Sequence, residues 1–192
     1  MSGDGDRGFN PAGAAERTDE AVALSAAQGY WRKDLSGGDQ HRPRGTLLVW
    51  AYFDSSAVVK VYVQETGRAA VLRLLRQHEV VASAILPVEI RGALRRGAAE
   101  NVIESSRLPS ALQQFAKDRT QWNLLAVSTE ILERAEQIVA SHTVRTLDAI
   151  HIASAQAFAE RLQARVPFIS ADHRQIAAAA AAGLIVQQVG PK

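Results

Sequence analysis

The sequence WAYFDSSAVVK, residues 50–60, places one aspartate directly after an apolar run. The run, Leu47–Phe53, has the composition of a buried strand, and Asp54 follows it. Ser55 and Ser56 come next, ahead of a segment whose residues suit a helix. In an open sheet of parallel strands, ligands bind beyond the carboxyl ends of the strands. We therefore predict that Asp54 lies in a functional site and that the rest of the chain supplies its partners.

The composition fits one folded domain with a polar extension. Of the 192 residues, 47% are hydrophobic, which is enough for a core, and the net charge of +2 permits nucleic acid as a partner without requiring it. The chain has no cysteine, which excludes disulfides and thiolate zinc sites and suits a reducing cytoplasm, where we expect the protein. Met1–Asn10 lacks the apolar core of a secretory signal, and the longest apolar run, Ile176–Val186, is too short to span a bilayer. We therefore expect no membrane association.

Residues 1–45 differ from the remainder in composition. They are rich in Gly, Asp, Arg, Ser and Gln, and they end in the linker-like stretch SGGDQHRPRG. A segment of this kind cannot bury enough apolar surface to offset its chain entropy. We predict that it is disordered, or that translation starts near Val49 and the segment is never made. Residues 46–192 are predicted to form the folded domain.

From Thr46 onward, predicted strands alternate with predicted helices. Such alternation indicates crossover connections, so the predicted fold class is a three-layer α/β/α arrangement, a mostly parallel sheet with helices on both faces. Ser83 and Thr146 are predicted to cap two of the helices. Gly97 and Gly183 are predicted to end two of them. The predicted strands are 47–53, 80–82, 124–127, 166–170 and 184–189, and the predicted helices are 66–77, 84–96, 109–122, 130–140, 147–162 and 174–182.

Four acidic residues share one kind of position, after a predicted strand or in the first turns of a predicted helix. A single acid there is usually a helix cap or a partner of the helix dipole. Two carboxylates about 4 Å apart, however, repel by ~1 kcal/mol in water and by ~4 kcal/mol at an effective dielectric of about 20. A fold that gathers four of them therefore needs a cation or shared protons to relieve that cost. The four are Asp54, Glu89, Asp148 and Asp172.

The chemical type of these residues indicates the type of cation. Mg²⁺ and Mn²⁺ prefer oxygen ligands and suit a site made of carboxylates. Zinc is disfavoured because the chain has no cysteine and no H-x-x-x-H motif. A carboxylate-held divalent ion that keeps some of its waters is suited to phosphodiester hydrolysis. We therefore predict Mg²⁺ (or Mn²⁺) as the cofactor.

Four motifs together resemble those of the PIN-domain ribonucleases, most nearly the VapC-type toxins of bacterial toxin–antitoxin pairs. In chain order they are YFDSSAVVKVYVQE (52–65), VASAILPVEIRGALRR (81–96), RTLDAIHIASA (145–155) and FISADHRQIAAAAAAGLIV (168–186). The resemblance covers residues 49–189 and depends on the combination, because each motif alone is weak. It implies a PIN-like, Rossmann-like fold, Mg²⁺- or Mn²⁺-dependent endoribonuclease activity on RNA, a homodimer, and neutralisation by a small antitoxin.

The same resemblance gives roles to the four acids. It implies that all of them are catalytic. Asp54 and Asp148 would hold the metal directly, and Glu89 and Asp172 would complete the site, through waters or a second metal.

The resemblance also marks residues beside the acids. It implies that a hydroxyl from Ser55 or Ser56, and another from Ser170, support the site. His151 lies one helical turn after Asp148 and faces roughly the same way. We expect His151 to serve in hydrogen bonding rather than in catalysis.

Three other functions make specific demands on the residues of the chain. A catalytically silent PIN-fold module that docks a basic partner peptide stays open, because an intact set of acids does not prove turnover. A phosphoacceptor receiver domain needs adjacent acids after the first strand and a lysine near the last one, whereas Ser55 follows Asp54 and 184–189 has no lysine. Haloacid-dehalogenase chemistry needs a second aspartate two residues after the first, where this chain has Ser56.

Overall fold

The structure, a computed structural model, describes residues 49–63 and 65–190. The predicted disorder or non-translation of residues 1–45 lies outside the described residues, as do the first two residues of the first predicted strand. No helix in the described part of the chain is long and apolar enough to cross a membrane.

The described chain forms a sheet of five parallel strands with seven α-helices packed around it. The strands are β1 (Val49–Phe53), β2 (His78–Ser83), β3 (Asn123–Leu125), β4 (Phe168–Ser170) and β5 (Val186–Gln188). The helices are α1 (Ser55–Val58), α2 (Arg68–Gln77), α3 (Leu86–Ala99), α4 (Leu108–Asp118), α5 (Thr129–Ser141), α6 (Thr146–Leu162) and α7 (His173–Ala181). The strand order is β3-β2-β1-β4-β5, and every neighbouring pair is parallel. The predicted three-layer α/β/α fold is confirmed.

β1 is the central strand, and its sequence explains why. Ala51, Tyr52 and Phe53 are fully buried, as expected for a parallel strand that helices cover on both faces. The strand pairs with β2 on one side and with β4 on the other. The strand order therefore reverses beside β1. A cleft at such a reversal, outside the carboxyl ends of the strands, is where open α/β sheets bind ligands.

Apolar faces hold the helices in place. α3 buries Leu86, Ile90 and Leu94 completely, and their spacing of four residues puts them on one face of the helix. α6 is different, because every residue of its segment 149–155 is buried. The alanines of that segment let α6 approach β2, α5 and α7 closely. This packing fixes the position of the first turn of α6, which carries one of the predicted acids.

The predicted start of α3 is too early. Ser83 does not cap the helix but ends β2, because it still pairs with Leu125 of β3. α3 begins at Leu86 and has Pro87 in its first turn, where the missing N–H of proline breaks no helical hydrogen bond. Glu89 nevertheless lies in the first turn of the helix, as predicted.

The predicted start of α6 is late by one residue. Arg145 has extended backbone geometry and flanks the helix, and Thr146 is the first helical residue rather than the cap. No side-chain hydrogen bond caps this helix at Arg145. The correction leaves Asp148 in the first turn of α6.

The two predicted glycine stops have different outcomes. Gly183 follows α7 with φ of +87°, the left-handed geometry expected of a glycine stop. Gly97, in contrast, lies inside α3, which continues to Ala99. A Cβ atom at Gly97 would lie 2.9 Å from Cδ1 of Ile103. Glycine is therefore used there for close packing, not for ending the helix.

Candidate active site

Asp54 stands at the carboxyl end of β1 and caps the short helix α1. Its backbone N–H donates to the carbonyl of Ile169 in β4 at 2.9 Å, which extends the strand pairing to the edge of the sheet. Its Oδ2 accepts hydrogen bonds from the backbone N–H and the hydroxyl of Ser56, at 2.9 and 2.5 Å. Because Asp54 is only 2% exposed, its carboxylate is oriented by these protein donors and not by bulk water.

Side chains from β4 and α7 complete the surroundings of the Asp54 carboxylate. Gln175 donates from Nε2 to Asp54 Oδ1 at 2.9 Å, and Ser170 donates to Gln175 Oε1 at 2.6 Å. The Ser170 hydroxyl also lies 3.3 Å from Asp54 Oδ2 and 3.0 Å from the hydroxyl of Ser56. Ser170 thus lies against Asp54, where the resemblance placed it. Ser56 supplies the second hydroxyl, and a role for Ser55 stays a prediction.

Asp172 follows β4 and caps α7. Its Oδ1 accepts hydrogen bonds from the backbone N–H groups of Arg174 and Gln175, at 2.7 and 3.3 Å. The backbone N–H of Asp172 donates to the hydroxyl oxygen of Ser170 at 3.0 Å. The helix cap therefore fixes the orientation of this carboxylate beside the end of β4.

Asp148 lies in the first turn of α6, and the region bounded by Asp54, Glu89, Asp148 and Asp172 is called the acid cleft. Burial raises the pKa of Asp148 to about 6, and the negative charges of Asp54 and Asp172 add to the effect. The positive charges of Arg145 and His151 act in the opposite direction. Like charges disfavour the ionised form of a carboxyl, so the three aspartates repel one another when all are charged.

Glu89 reaches the same cleft from α3 and is bound to a histidine. Its Oε2 lies 2.6 Å from Nε2 of His151, a fully buried residue of α6, whose Nδ1 lies 2.9 Å from the hydroxyl of Tyr52. Burial lowers the pKa of His151, but the hydrogen bond to Glu89 and the charges of the nearby acids outweigh it and leave the pKa above its usual value. His151 Nε2 is also 3.7 Å from Asp54 Oδ1. The hydrogen-bonding use predicted for His151 is confirmed.

The acids meet at one cleft but are not a ready set of metal ligands. Within residues 49–63 and 65–190, no group of three or more His, Cys, Asp or Glu side chains is placed to hold a metal ion. Hydrogen-bonding groups of the protein already contact three of the carboxylates, those of Asp54, Glu89 and Asp172. The donor set still fits a hard divalent cation, because it consists of oxygen ligands. Burial is the main cause of the raised pKa of Asp148, and the charges of Asp54 and Asp172 add a repulsion that such a cation would relieve.

A separate cavity of about 490 Å³ lies beside α5 and does not include the acid cleft in its lining. Its arginine is already paired, because Arg134 donates to both carboxylate oxygens of Glu160, at 2.6 and 2.9 Å. Its position away from the carboxyl end of β1 makes it the weaker candidate for a catalytic site.

Sequence reasoning missed Gln175. It stands three residues after the cap Asp172, which is the spacing of a capping box, where a glutamine reaches back to the backbone N–H of the cap. In the structure Ser170 accepts that N–H, and Gln175 turns to Asp54, which is 121 positions away in the sequence. The local signal would therefore have suggested helix capping and nothing about the site.

One protein family matches the part of the chain that contains the acid cleft. The family model described as "PIN domain" matches residues 51–181, a range that includes all four predicted acids. Ribonuclease VapC46 of Mycobacterium tuberculosis (strain ATCC 25618 / H37Rv) is 36% identical over 107 residues, 55% of this chain and 73% of that protein. Ribonuclease VapC45 of Mycobacterium tuberculosis (strain CDC 1551 / Oshkosh) is 29% identical over 107 residues, 55% of this chain and 74% of that protein. A solved toxin–antitoxin complex from Klebsiella pneumoniae matches with 21% identity and a TM-score of 0.45, over 66% of this chain and 90% of that chain.

Proposed function

Because this chain belongs to the PIN-domain family, we propose that it is a VapC-type ribonuclease, which hydrolyses RNA phosphodiester bonds and acts as the toxin of a toxin–antitoxin pair. The position of Asp54 carries the proposal. Asp54 is buried at the carboxyl end of the central strand, where the strand order reverses. Its negative charge contributes to the raised pKa of Asp148. The ribonuclease names of the two Mycobacterium tuberculosis relatives support RNA as the substrate.

The divalent ion, Mg²⁺ or Mn²⁺, is assigned to the acids. Asp54 and Asp148 would hold it, and Glu89 and Asp172 would complete the site. The support is the all-carboxylate donor set and the repulsion within it. When bound, such an ion activates water for attack and stabilises negative charge on the phosphate and the leaving oxygen.

The residues of the chain prepare the cleft for an anionic substrate. Ser56 and Gln175 orient the carboxylate of Asp54, and His151 holds that of Glu89 by a 2.6 Å bond. α6 begins at the cleft without a side-chain cap at Arg145, and the positive end of a helix dipole attracts phosphate. This helix start thus offsets part of the repulsion between the acids and an RNA backbone.

Two exposed arginines flank the acids. Arg145 directly precedes α6, and Arg174 lies in the first turn of α7. A guanidinium pairs with phosphate bidentately, so these side chains suit contacts to the RNA backbone on either side of the cut bond. Such contacts carry no base information, and they predict binding that weakens as salt rises.

Assembly and location follow from the resemblance to the VapC-type toxins. On that basis the partners are an RNA substrate, a small cognate antitoxin and a second copy of this chain in a homodimer. The cytoplasm, where such a toxin meets RNA, is the proposed location.

One observation favours a second candidate, a catalytically silent PIN-fold module that docks a basic partner peptide. The acids are already engaged, Glu89 by His151 and Asp54 by Gln175, and among the described residues they form no ready ligand set. A guanidinium or ammonium group could bind such a cleft by charge-assisted hydrogen bonds without the strict geometry that Mg²⁺ demands.

Cleavage of a fluorescent single-stranded RNA by the purified full chain distinguishes the two candidates. We expect cleavage with Mg²⁺ or Mn²⁺, none in EDTA, and recovery when the metal is restored. A parallel preparation of Asp54→Asn controls for contaminating nucleases. Absence of cleavage with either metal, for a protein that is folded, would contradict the ribonuclease and favour the binding module.

A further inference from the structure

Gln175 is a fully buried residue of α7, and both ends of its side-chain amide are hydrogen bonded. Nε2 donates to Asp54 at 2.9 Å, and Oε1 accepts from the hydroxyl of Ser170 at 2.6 Å. A buried amide without hydrogen-bonding partners destabilises the folded state. An apolar side chain of the same size would need no partners. The amide of Gln175 is tolerated in the core because Asp54 and Ser170 hydrogen-bond to it.

The neighbours of Gln175 decide which way its amide points. Ser170 has a single hydroxyl hydrogen, and its oxygen already accepts the backbone N–H of Asp172 at 3.0 Å. Its shortest contact with an acceptor is the 2.6 Å contact to Oε1 of Gln175, compared with 3.3 Å to Asp54. The hydrogen of Ser170 therefore goes to Gln175, and the Nε2 group of Gln175 faces Asp54.

The two carboxylate oxygens of Asp54 consequently have different hydrogen-bonding partners. Oδ2 is turned toward α1 by two bonds from Ser56, at 2.9 and 2.5 Å. Among the described residues, Oδ1 accepts one hydrogen bond, from Gln175, and the nearby His151 Nε2 lies beyond hydrogen-bond distance at 3.7 Å. A carboxylate oxygen has two lone-pair sites, so Gln175 fixes the direction of Oδ1 and leaves its second site for a cation.

We propose that Gln175 is a positioning residue that sets the metal affinity of Asp54, an inference that rests on the proposed function. Groups that hydrogen-bond to a ligand carboxylate fix its orientation, and their removal typically weakens metal binding by about 10–100-fold. Gln175 does not touch the RNA or the metal itself. Its effect passes through the carboxylate of Asp54.

The variant Gln175→Met tests the inference, because it keeps the size of the side chain and removes both hydrogen-bonding ends. The chain offers a matched control in Gln114→Met. Gln114 is also buried, and it donates from Nε2 to a buried aspartate, Asp118, at 2.7 Å. That pair belongs to α4, a helix that supplies none of the four acids. Each variant therefore breaks one buried Gln–Asp bond, and only one of the two bonds involves the cleft.

Binding of Mn²⁺ to the full chain, followed through the EPR signal of the free ion, gives a Kd without RNA and without turnover. Asp54→Asn identifies the site, because we expect it to abolish tight binding. We expect Gln175→Met to raise the Kd about tenfold or more, and Gln114→Met to leave it within about twofold of the wild type. Circular dichroism and melting temperatures show that each variant is folded.

The outcomes separate this inference from the proposed function. A wild-type chain without any Mn²⁺ site that depends on Asp54 overturns the proposed function, and the inference falls with it. A site that Asp54→Asn abolishes and Gln175→Met leaves unchanged overturns the inference alone.

Should Gln175→Met fail to fold, the wild type supplies a second measurement. In an isotope-labelled sample, titration with Mg²⁺ is expected to shift the side-chain NH₂ resonances of Gln175 and to leave those of Gln114 in place. Equal shifts of the two, or no shift at Gln175, overturn the inference.

Discussion

Nε2 of His151 lies 2.6 Å from Oε2 of Glu89, and this bond joins α6 to α3 across 62 positions of sequence. The ring cannot turn freely, because its Nδ1 lies 2.9 Å from the hydroxyl of Tyr52 in the central strand. A line of three polar side chains therefore runs from the interior of the sheet to the cleft. The orientation of Glu89 depends on a buried residue that lies behind it.

His151→Phe removes the middle of that line and retains an aromatic ring. It removes the histidine partner of the Glu89 carboxylate and one of the hydrogen-bonding partners of the Tyr52 hydroxyl. A buried group that loses its partner costs about 1–3 kcal/mol, so we expect the free energy of unfolding in urea to fall by about that amount. His78→Phe is the control, because His78 is only half-buried and contacts a single backbone carbonyl, that of Leu74. Equal losses in the two variants would show that the Glu89 bond contributes nothing particular.

The positions of the acids could be predicted from the sequence. Of their partners, Ser170 could be predicted through the family resemblance, whereas Gln175 could not. Asp54 is recognisable because it directly follows an apolar run, and strand ends are where α/β sheets bind ligands. The contacts of Gln175 and Ser170 with Asp54 join residues 121 and 116 positions apart. Helical periodicity and capping rules describe neighbours in the sequence, so they carry no information on such pairs.

The errors at helix boundaries have the same origin. Ser83 is a residue type that is strongly preferred at helix N-caps. Pairing with Leu125 of β3 nevertheless keeps Ser83 in the sheet. Gly97 reads as a helix stop, but Ile103 packs so closely that only glycine fits inside the helix. In both cases a tertiary contact overrides a local preference.

Asp148→Asn is expected to stabilise the metal-free protein. Burial and the charges of Asp54 and Asp172 raise the pKa of Asp148 to about 6, so its charged form is disfavoured at neutral pH. Removing the charge should raise the melting temperature in EDTA by about 2–4 °C, equivalent to ~1 kcal/mol for a chain of this size. Scanning calorimetry at neutral pH measures the shift.

Asp54→Asn is expected to shift the melting temperature in the opposite direction. Its carboxylate accepts hydrogen bonds from Ser56 on one oxygen and from Gln175 on the other. An asparagine would place an NH₂ group against one of these donors, so we expect the melting temperature in EDTA to fall. A rise in both variants would mean that repulsion among the acids outweighs the hydrogen bonds of Asp54.

The raised pKa of Asp118 predicts a pH dependence of stability that arises away from the acid cleft. It is 1% exposed and accepts hydrogen bonds from Tyr62 and Gln114, at 2.8 and 2.7 Å. Burial raises its pKa to about 6, although both hydrogen bonds act to lower it. An aspartate in an unfolded chain has a pKa of about 3.9. The folded protein therefore keeps this proton longer, and its contribution to stability is full below about pH 4 and lost as pH rises through about 6.

Asp118→Asn should remove that contribution. Urea unfolding in EDTA, from about pH 4 to about pH 7, should show the wild type losing on the order of 2–3 kcal/mol more than the variant over this window. The comparison cancels every other titrating group, because both proteins share them. Parallel stability curves would contradict the raised pKa of Asp118.

A shortened chain that begins at Thr46 tests the predicted domain boundary. We expect it to fold and to cut RNA like the full chain, because residues 1–45 have the composition of a segment without a core. A melting temperature lower than that of the full chain by more than about 4 °C, or ~1 kcal/mol, would show that the segment packs on the domain.

The most direct measurement of the central claim is the single-turnover rate of RNA cleavage by Asp54→Asn, beside that of Asp118→Asn. Both variants make the same chemical change at a buried aspartate, and only Asp54 lies at the carboxyl end of β1. A metal ion contributes several kcal/mol to such a reaction, so we predict that Asp54→Asn cuts RNA at least about 100-fold more slowly than the wild type. Asp118→Asn should stay close to the wild-type rate. Cleavage by folded Asp54→Asn at the rate of the wild type would contradict the assignment of this cleft as the active site.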